Sequence, residues 1–265
     1  MAGLACTRWT RSISAGKPLA DRKSCTPAGA RARVRPVRNQ PEGRTPVTIG
    51  EELLLLALDD EEGTRQGDGT KVGYATVGAH LLELTMARRL DMEGKKIVVR
   101  DPGPVGEPSA DHVLNALAAK SPRKPGDWLW SLATKSVEAT TRSLMDKGFV
   151  RQTDRKVLGL FTVKRYPAAD GSAESDARGR LAAVLLGGQQ PDPRTAALVG
   201  MLHAADLAKV VFPDADRKAI TKRAKEIAED SGKWANDAVA ATIEETNVAV
   251  FAAVLAAVAV TSVNT

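Results

Sequence analysis

Apolar residues first settle into a helical pattern at Thr48. There Thr48-Ile49-Gly50-Glu51 has the spacing of a capping box, hydroxyl and carboxylate each satisfying an orphan backbone donor. Leu53–Leu56, Ala57 and Leu58 continue the run, and the polar stretch Asp59-Asp60-Glu61-Glu62-Gly63 predicts its end. A glycine-rich loop, Gln66-Gly67-Asp68-Gly69, leads to a second helix predicted from about Lys71 to Arg89. Its middle is apolar nearly all round, with a polar stripe of little more than Thr76, His80 and Glu83, the pattern of a helix buried in a bundle. Leu90 to Val99 reads as a hairpin turning at Gly94-Lys95, with Ile97-Val98-Val99 in the return strand.

A long helix capped by Asp127 follows. Leu129, Leu132, Ala133, Val137, Thr140 and Leu144 form its apolar stripe, Ser131, Lys135, Glu138, Arg142 and Asp146 its opposite face. Lys147-Gly148 stops it. Val150 to Val163 predicts a second hairpin around Asp154-Arg155. Val157, Leu158, Leu160 and Phe161 then put apolar residues on both faces of a short strand, which a lone ribbon cannot cover, so self-association is expected there. Asp192-Pro193, an N-cap followed by an N1 proline, opens a helix running through Met201 and His203 to Val211. A charged helix follows from Asp214 to Asp230. The thirteen apolar residues Val248–Val260 are too few for a bilayer span of about 20 and predict a buried core helix. Together these elements predict a mainly α protein. Residues 47–265 form a compact single-domain helical bundle with two β-hairpins, without internal repeats. A disordered basic tail over residues 1–46 precedes it.

Charge sharpens that division. Residues 1–45 hold ten Lys/Arg against Asp21 and Glu42, a balance of +8, which leaves 28 bases and 30 acids, −2, for the rest of the 265-residue chain. The net +6 therefore says nothing of a basic face on the body. Rich in Arg, Pro, Gly and Ser and without periodicity, the tail cannot bury enough surface to fold. It reads as a polybasic arm for anionic membrane or nucleic acid, as an organelle transit peptide, or as a plain extension. It also holds both cysteines, Cys6 and Cys25, so the body lacks disulfides and thiolate metal sites, as a reducing cytosol permits. No apolar core of a secretory signal occurs in residues 1–30. The bias towards Ala, Arg, Gly, Val and Asp is that of a GC-rich, bacterial-type coding sequence.

Catalytic motifs are missing: no Gly-x-Gly-x-x-Gly, no phosphate loop, no Gly-x-Ser-x-Gly, no His-Glu-x-x-His. The three histidines, His80, His112 and His203, are far apart in sequence. His80 with Glu83, and His203 with Asp206, share a helix face at i, i+3. Each pair reads as half a carboxylate–imidazole couple, or as polar groups satisfying each other in a bundle. Trp128 and Trp130 flank a helix start as an interfacial anchor or stacking platform, or as packing. Arg217, Lys218, Lys222, Arg223 and Lys225 resemble an anion patch diluted by Asp214, Asp216, Glu226 and Glu229 into a solvated helix face. The expectation is a protein without catalytic residues, metal or cofactor.

Several of these stretches resemble one family. Thr48 to Gly63 is similar to the opening of the Golgi phosphoprotein 3 family. Gly78-Ala79-His80-Leu81-Leu82-Glu83-Leu84, followed by Arg88-Arg89-Leu90, is similar to its glycine-started Leu/Ile-Glu-Leu helix. Leu144-Met145-Asp146-Lys147-Gly148 and the hairpin at Val157–Val163 resemble its Leu-Val-Glu-Lys-Gly segment and β-hairpin. Leu202-His203-Ala204-Ala205-Asp206 resembles its Leu-Ala-His-Ala-Ser-Asp helix. The pieces run in order over residues 47–260.

The resemblance implies a compact helical domain in the cytoplasm, peripherally associated with membrane, the Golgi in eukaryotes. It implies recruitment through an anionic phosphoinositide headgroup, phosphatidylinositol 4-phosphate in eukaryotes. It further implies homo-oligomers through the hairpin (Leu158, Leu160, Phe161) and, for eukaryotic members, capture of the cytosolic tails of membrane enzymes. Carried over by position, the family's headgroup aromatic falls on Asp68, its helix arginine on Val77, and its two further basic positions on Thr134 and Val137. Lys71, Lys135 and Arg142 are the nearby cations left to meet a headgroup. The competing reading is a winged-helix-like nucleic-acid binder, since a helix ending in Lys147-Gly148 and then a hairpin resembles a recognition helix and wing. The mixed charge of that helix and the net acidic body make nucleic acid the lesser partner.

Overall fold

The computed structural model describes residues 46–157, 161–237 and 252–260. The tail, Leu158 and Leu160 lie outside the described residues, and Phe161 enters only as a backbone position. Helix α1, Ile49–Leu56, begins on the expected capping box. Thr48 Oγ1 accepts from Glu51 N at 3.1 Å, and Glu51 Oε2 accepts from Thr48 N at 2.7 Å. All of α1 is buried, Glu51 and Glu52 included.

Helix α2, Gly69–Met86, starts two residues before Lys71 because Asp68 caps it, accepting from Thr70 N at 2.8 Å and Lys71 N at 3.1 Å. It ends before Arg89 because Arg88 adopts φ +57°, a left-handed conformation that breaks the helix. As expected of a central helix, α2 is buried nearly all round, packing against α1, α3, α4 and α6. Strands β1, Leu90–Glu93, and β2, Lys96–Val99, pair in the predicted register, with Glu93 opposite Lys96 and Gly94 at φ +61° in the turn.

Helix α3, Pro108–Ala118, was not anticipated; it buries Ala110, Val113, Leu114 and Leu117, a helical i, i+3, i+4, i+7 set. Helix α4, Pro125–Asp146, buries Leu129, Leu132, Val137, Thr140 and Leu144 as the stripe predicts. Its start corrects the expectation: Lys124 is the N-cap and Pro125 the N1 residue, so Asp127 is a first-turn acid facing the helix dipole rather than a cap.

The second hairpin pairs β3, Thr153–Val157, with β4, Phe161–Arg165. Val157 faces Phe161 and Asp154 faces Lys164, so Asp154-Arg155 is mid-strand and not the turn. The last described pair is Val157 with Phe161, and residues 158–160 lie outside the described residues. Helix α5, Ser172–Leu185, is a second unanticipated element. Helix α6, Pro193–Ala204, is capped by Asp192 as predicted, but stops seven residues short of Val211. Asp206 at φ +55° breaks it, and Ala208–Val211 forms a separate helix, α7.

Helix α8, Arg217–Asp237, carries the charged stretch. Residues 252–260 form α9, with Val254 and Val258 fully buried, so this end of the apolar run is the expected core helix. Gly78 lets it approach α2: a Cβ there would sit 2.7 Å from Val258 Cγ2 and 2.8 Å from Met201 Sδ.

Candidate functional site

Two contacts fix how α2 and α4 run. A Cβ on Gly73 would lie 3.2 Å from the Ala133 Cβ, and His80 Nε2 lies 2.9 Å from Thr140 Oγ1. Both pairs are separated by the same sequence offset, so the helices are parallel and their N-termini share one end. Lys71 lies two residues before Gly73 and Lys135 two after Ala133, each about 200° around its helix from the contact. Both cations therefore face outward on opposite sides of the pair. Arg142 shares the exposed face of Lys135 but sits about 10 Å farther along the axis. The geometry thus spreads Lys71, Lys135 and Arg142 rather than converging them on one phosphate.

The family's headgroup positions have other duties here. Asp68 caps α2, and the backbone N–H groups of Lys71 and Thr70 hold its carboxyl below the usual range. Val77 is fully buried and Val137 nearly so, leaving Thr134 the exposed residue of the α4 pair.

The charged residues of the recognised stretches resolve into buried ion pairs. Lys147 Nζ bridges Glu51 Oε2 at 2.8 Å and Glu107 Oε2 at 2.6 Å, and donates to Pro46 O at 2.8 Å. Glu52 Oε1 meets Arg180 at 2.7 Å and Arg194 at 3.2 Å. Arg194 also binds Glu83 Oε1 at 3.0 Å and Val47 O, while Glu83 Oε2 accepts from Ile49 N at 2.8 Å. Burial raises the Glu83 carboxyl above its usual range, opposed by Arg194 and the Ile49 N–H. Two cations thus clamp the chain where it enters the body at Pro46 and Val47. Sequence reasoning missed Arg180 and Arg194 because their partners lie over a hundred residues away.

His80 and Glu83 do not pair. His80 is fully buried against Thr140, and desolvation lowers its pKa to about 4, with Glu51 pulling upward and His112 and Lys147 downward. His203 is likewise lowered by desolvation, and Asp206 engages Arg217 at 3.2 Å. The carboxylates of the two i, i+3 sets are thus engaged by Arg194 and Arg217.

On α8, Arg223 and Lys222 approach Glu226, as a solvated face would have it. The described stem of the second hairpin is largely exposed, and Arg155 pairs with Glu62. The two tryptophans separate: Trp128 is 1% exposed beneath Arg123, whose guanidinium carbon lies 5.4 Å from the ring centroid, whereas Trp130 is 75% exposed.

Among the described residues no helix is long and apolar enough to cross a membrane, and no group of three His, Cys, Asp or Glu could hold a metal ion. The Vacuolar protein sorting-associated protein 74 of Eremothecium gossypii is 28% identical over 164 residues, 53% of this chain and 49% of that protein. The match thus spans about half the length of that curated relative. A family model described as Golgi phosphoprotein 3 (GPP34) matches residues 49–246, from the first turn of α1 past the end of α8. With that span covering well over half of its residues, the chain belongs to the Golgi phosphoprotein 3 family.

Proposed function

We propose that this chain is a non-catalytic peripheral membrane protein that binds anionic lipid, and that it does so by charge density rather than by a stereospecific headgroup pocket. Family membership supports the membrane reading. The observation that carries its mode is the fate of the four headgroup positions: a cap, two buried valines and a threonine leave no converging arginines to fork one phosphate pattern. What remains is diffuse charge: the ten cations of residues 1–45, with Lys71, Lys135 and Arg142 spread over the body. Each cation near an anionic surface contributes ~1 kcal/mol, screened over ~8 Å at physiological salt. Homo-oligomers through the tip of the second hairpin, and the capture of cytosolic tails of membrane proteins, belong to the same proposal. The exposed face of α4 mixes Lys135 and Arg142 with Glu138 and Asp146, which favours lipid over nucleic acid.

Vesicle co-sedimentation tests it. Binding to phosphatidylglycerol or cardiolipin falls steeply between low and physiological salt and weakens greatly when residues 1–45 are removed. If Lys71→Glu with Lys135→Glu abolishes binding while tail removal leaves it intact, a pocket and not charge density is the mode.

A further inference from the structure

The segment Lys120–Trp130 is a positive island on a net acidic body. It carries Lys120, Arg123 and Lys124 against Asp127 alone. All three cations are exposed, and none forms an ion pair among the described residues. Asp127, the single acid, occupies the first turn of α4, where the helix dipole already favours it.

The segment is also held in place. Ile97 N donates to Arg123 O at 2.8 Å, tying the loop to β2, and the buried Trp128 ring lies under the Arg123 guanidinium. Beside them Trp130 is the most exposed large apolar side chain among the described residues, at 75%. Arg123, Gly126, Asp127 and Trp130 line an open cleft of about 470 Å³. The arrangement sets an exposed indole beside exposed cations. It matches a bilayer interface, where the ring sits at headgroup depth and cations meet phosphates.

We propose that this end of α4 is the face the folded body lays on the membrane, with Trp130 entering the interface and Arg123 and Lys124 meeting the phosphates of anionic phospholipid. The inference rests on the membrane reading above and adds an orientation to it. The pinned Arg123 loop lowers the entropy that ordering these groups would cost. Tail and island divide the work. The tail raises the local concentration at the surface; the island sets which way the body faces.

The test uses the full chain and vesicles of phosphatidylglycerol in phosphatidylcholine, with or without brominated acyl chains. Bromine quenches a share of the tryptophan emission, and that share is lost in Trp130→Phe although Trp9, Trp128 and Trp234 remain. Trp130→Ala lowers partitioning roughly tenfold, the effect of half-burying a large apolar side chain. Arg123→Gln with Lys124→Gln lowers it roughly twenty-five-fold at low salt. Trp130 and Lys124 are exposed, and the bond that ties Arg123 to Ile97 is made by backbone atoms, so the fold carries both changes. Binding and quenching identical in wild type and all variants overturn the orientation while leaving the tail-driven reading intact. A wild type that ignores anionic vesicles even at low salt overturns the proposed function itself.

Discussion

His80 lets the acid sensitivity of this fold be worked out from geometry. Thr140 Oγ1 donates to Ser136 O at 2.7 Å, so its one proton is spent and the hydroxyl oxygen accepts from His80 Nε2–H. The neutral ring is therefore protonated on Nε2, and its Nδ1 is buried with no hydrogen-bond partner. Charging the ring would put an N–H on Nδ1 with nothing to receive it, in a site that water does not reach. The folded pKa of about 4 lies below the unfolded value of 6.5, so between them the unfolded chain binds a proton that the native state refuses. Stability is then complete above pH 6.5 and falls as pH drops towards 4. The loss grows across that window to the order of a few kcal/mol, since each unit of pKa difference is worth about 1 kcal/mol. Glu83 and Glu174, whose carboxyls burial raises, act the other way and stabilise as pH falls. The measurement is therefore a difference. Urea unfolding of wild type and His80→Gln, followed by tryptophan emission at pH 7.5, 6.5, 5.5 and 4.5, isolates this group. If the wild-type-minus-variant difference stays flat across that range, the buried neutral imidazole is refuted.

Three further outcomes follow from the same packing. Gly50→Ala places a Cβ 2.5 Å from His80 Cε1, so it destabilises by about 1–3 kcal/mol, readable as a lower urea midpoint. Lys147→Met leaves Glu51 buried without its cation and costs about 3–5 kcal/mol in the same assay; a change under ~1 kcal/mol shows that the pair carries little. Leu158→Asp with Phe161→Asp shifts the particle towards monomer in light scattering, and a wild type already monomeric at tens of micromolar defeats the hairpin interface.

How far the sequence carried depended on whether a signal was local. The capping box at Thr48, the polar stripe of α2, the Gly94-Lys95 turn and the Asp192-Pro193 start are each written within a few residues, and each stands as expected. α3 and α5 lack a side-chain cap, since neither Glu107 nor Gly171 makes a cap bond, and the N1 proline Pro108 is the single start signal α3 carries. In α5, Ser175, Arg178, Gly179 and Arg180 also interrupt any apolar run around Ala177, Leu181 and Val184. The Asp154-Arg155 turn failed by the opposite error. A polar pair is a common turn signal, but in this chain Asp154 and Arg155 sit inside a paired strand, opposite Lys164 and Val163. The early stop of α6 could not be foreseen, because Asp206 enters a left-handed conformation that few residues adopt and that no pattern of apolar positions announces.

The candidate site was legible to a different depth. Motif resemblance located the family through Glu51, Glu83 and Lys147, yet in the structure these are core residues whose partners are Lys147, Arg194 and Glu107. They identify the fold because they close it, and a change at any of them leaves a buried charge alone. Binding residues lack that constraint. The headgroup positions could become a cap and two buried valines because each fits its own helix without its former neighbours. A surface that meets a fluid bilayer demands only that cations and an interfacial ring stand together, and many positions satisfy that. The Lys120–Trp130 island is proposed as such a substitute, and it is half visible in the sequence: Trp128 and Trp130 stand out together, two residues and so about 200° apart on one helix. Trp128 lies one turn before the buried Leu132 and Trp130 one turn before the exposed Thr134, so the apolar stripe of α4 already implies that one ring turns inward and the other out.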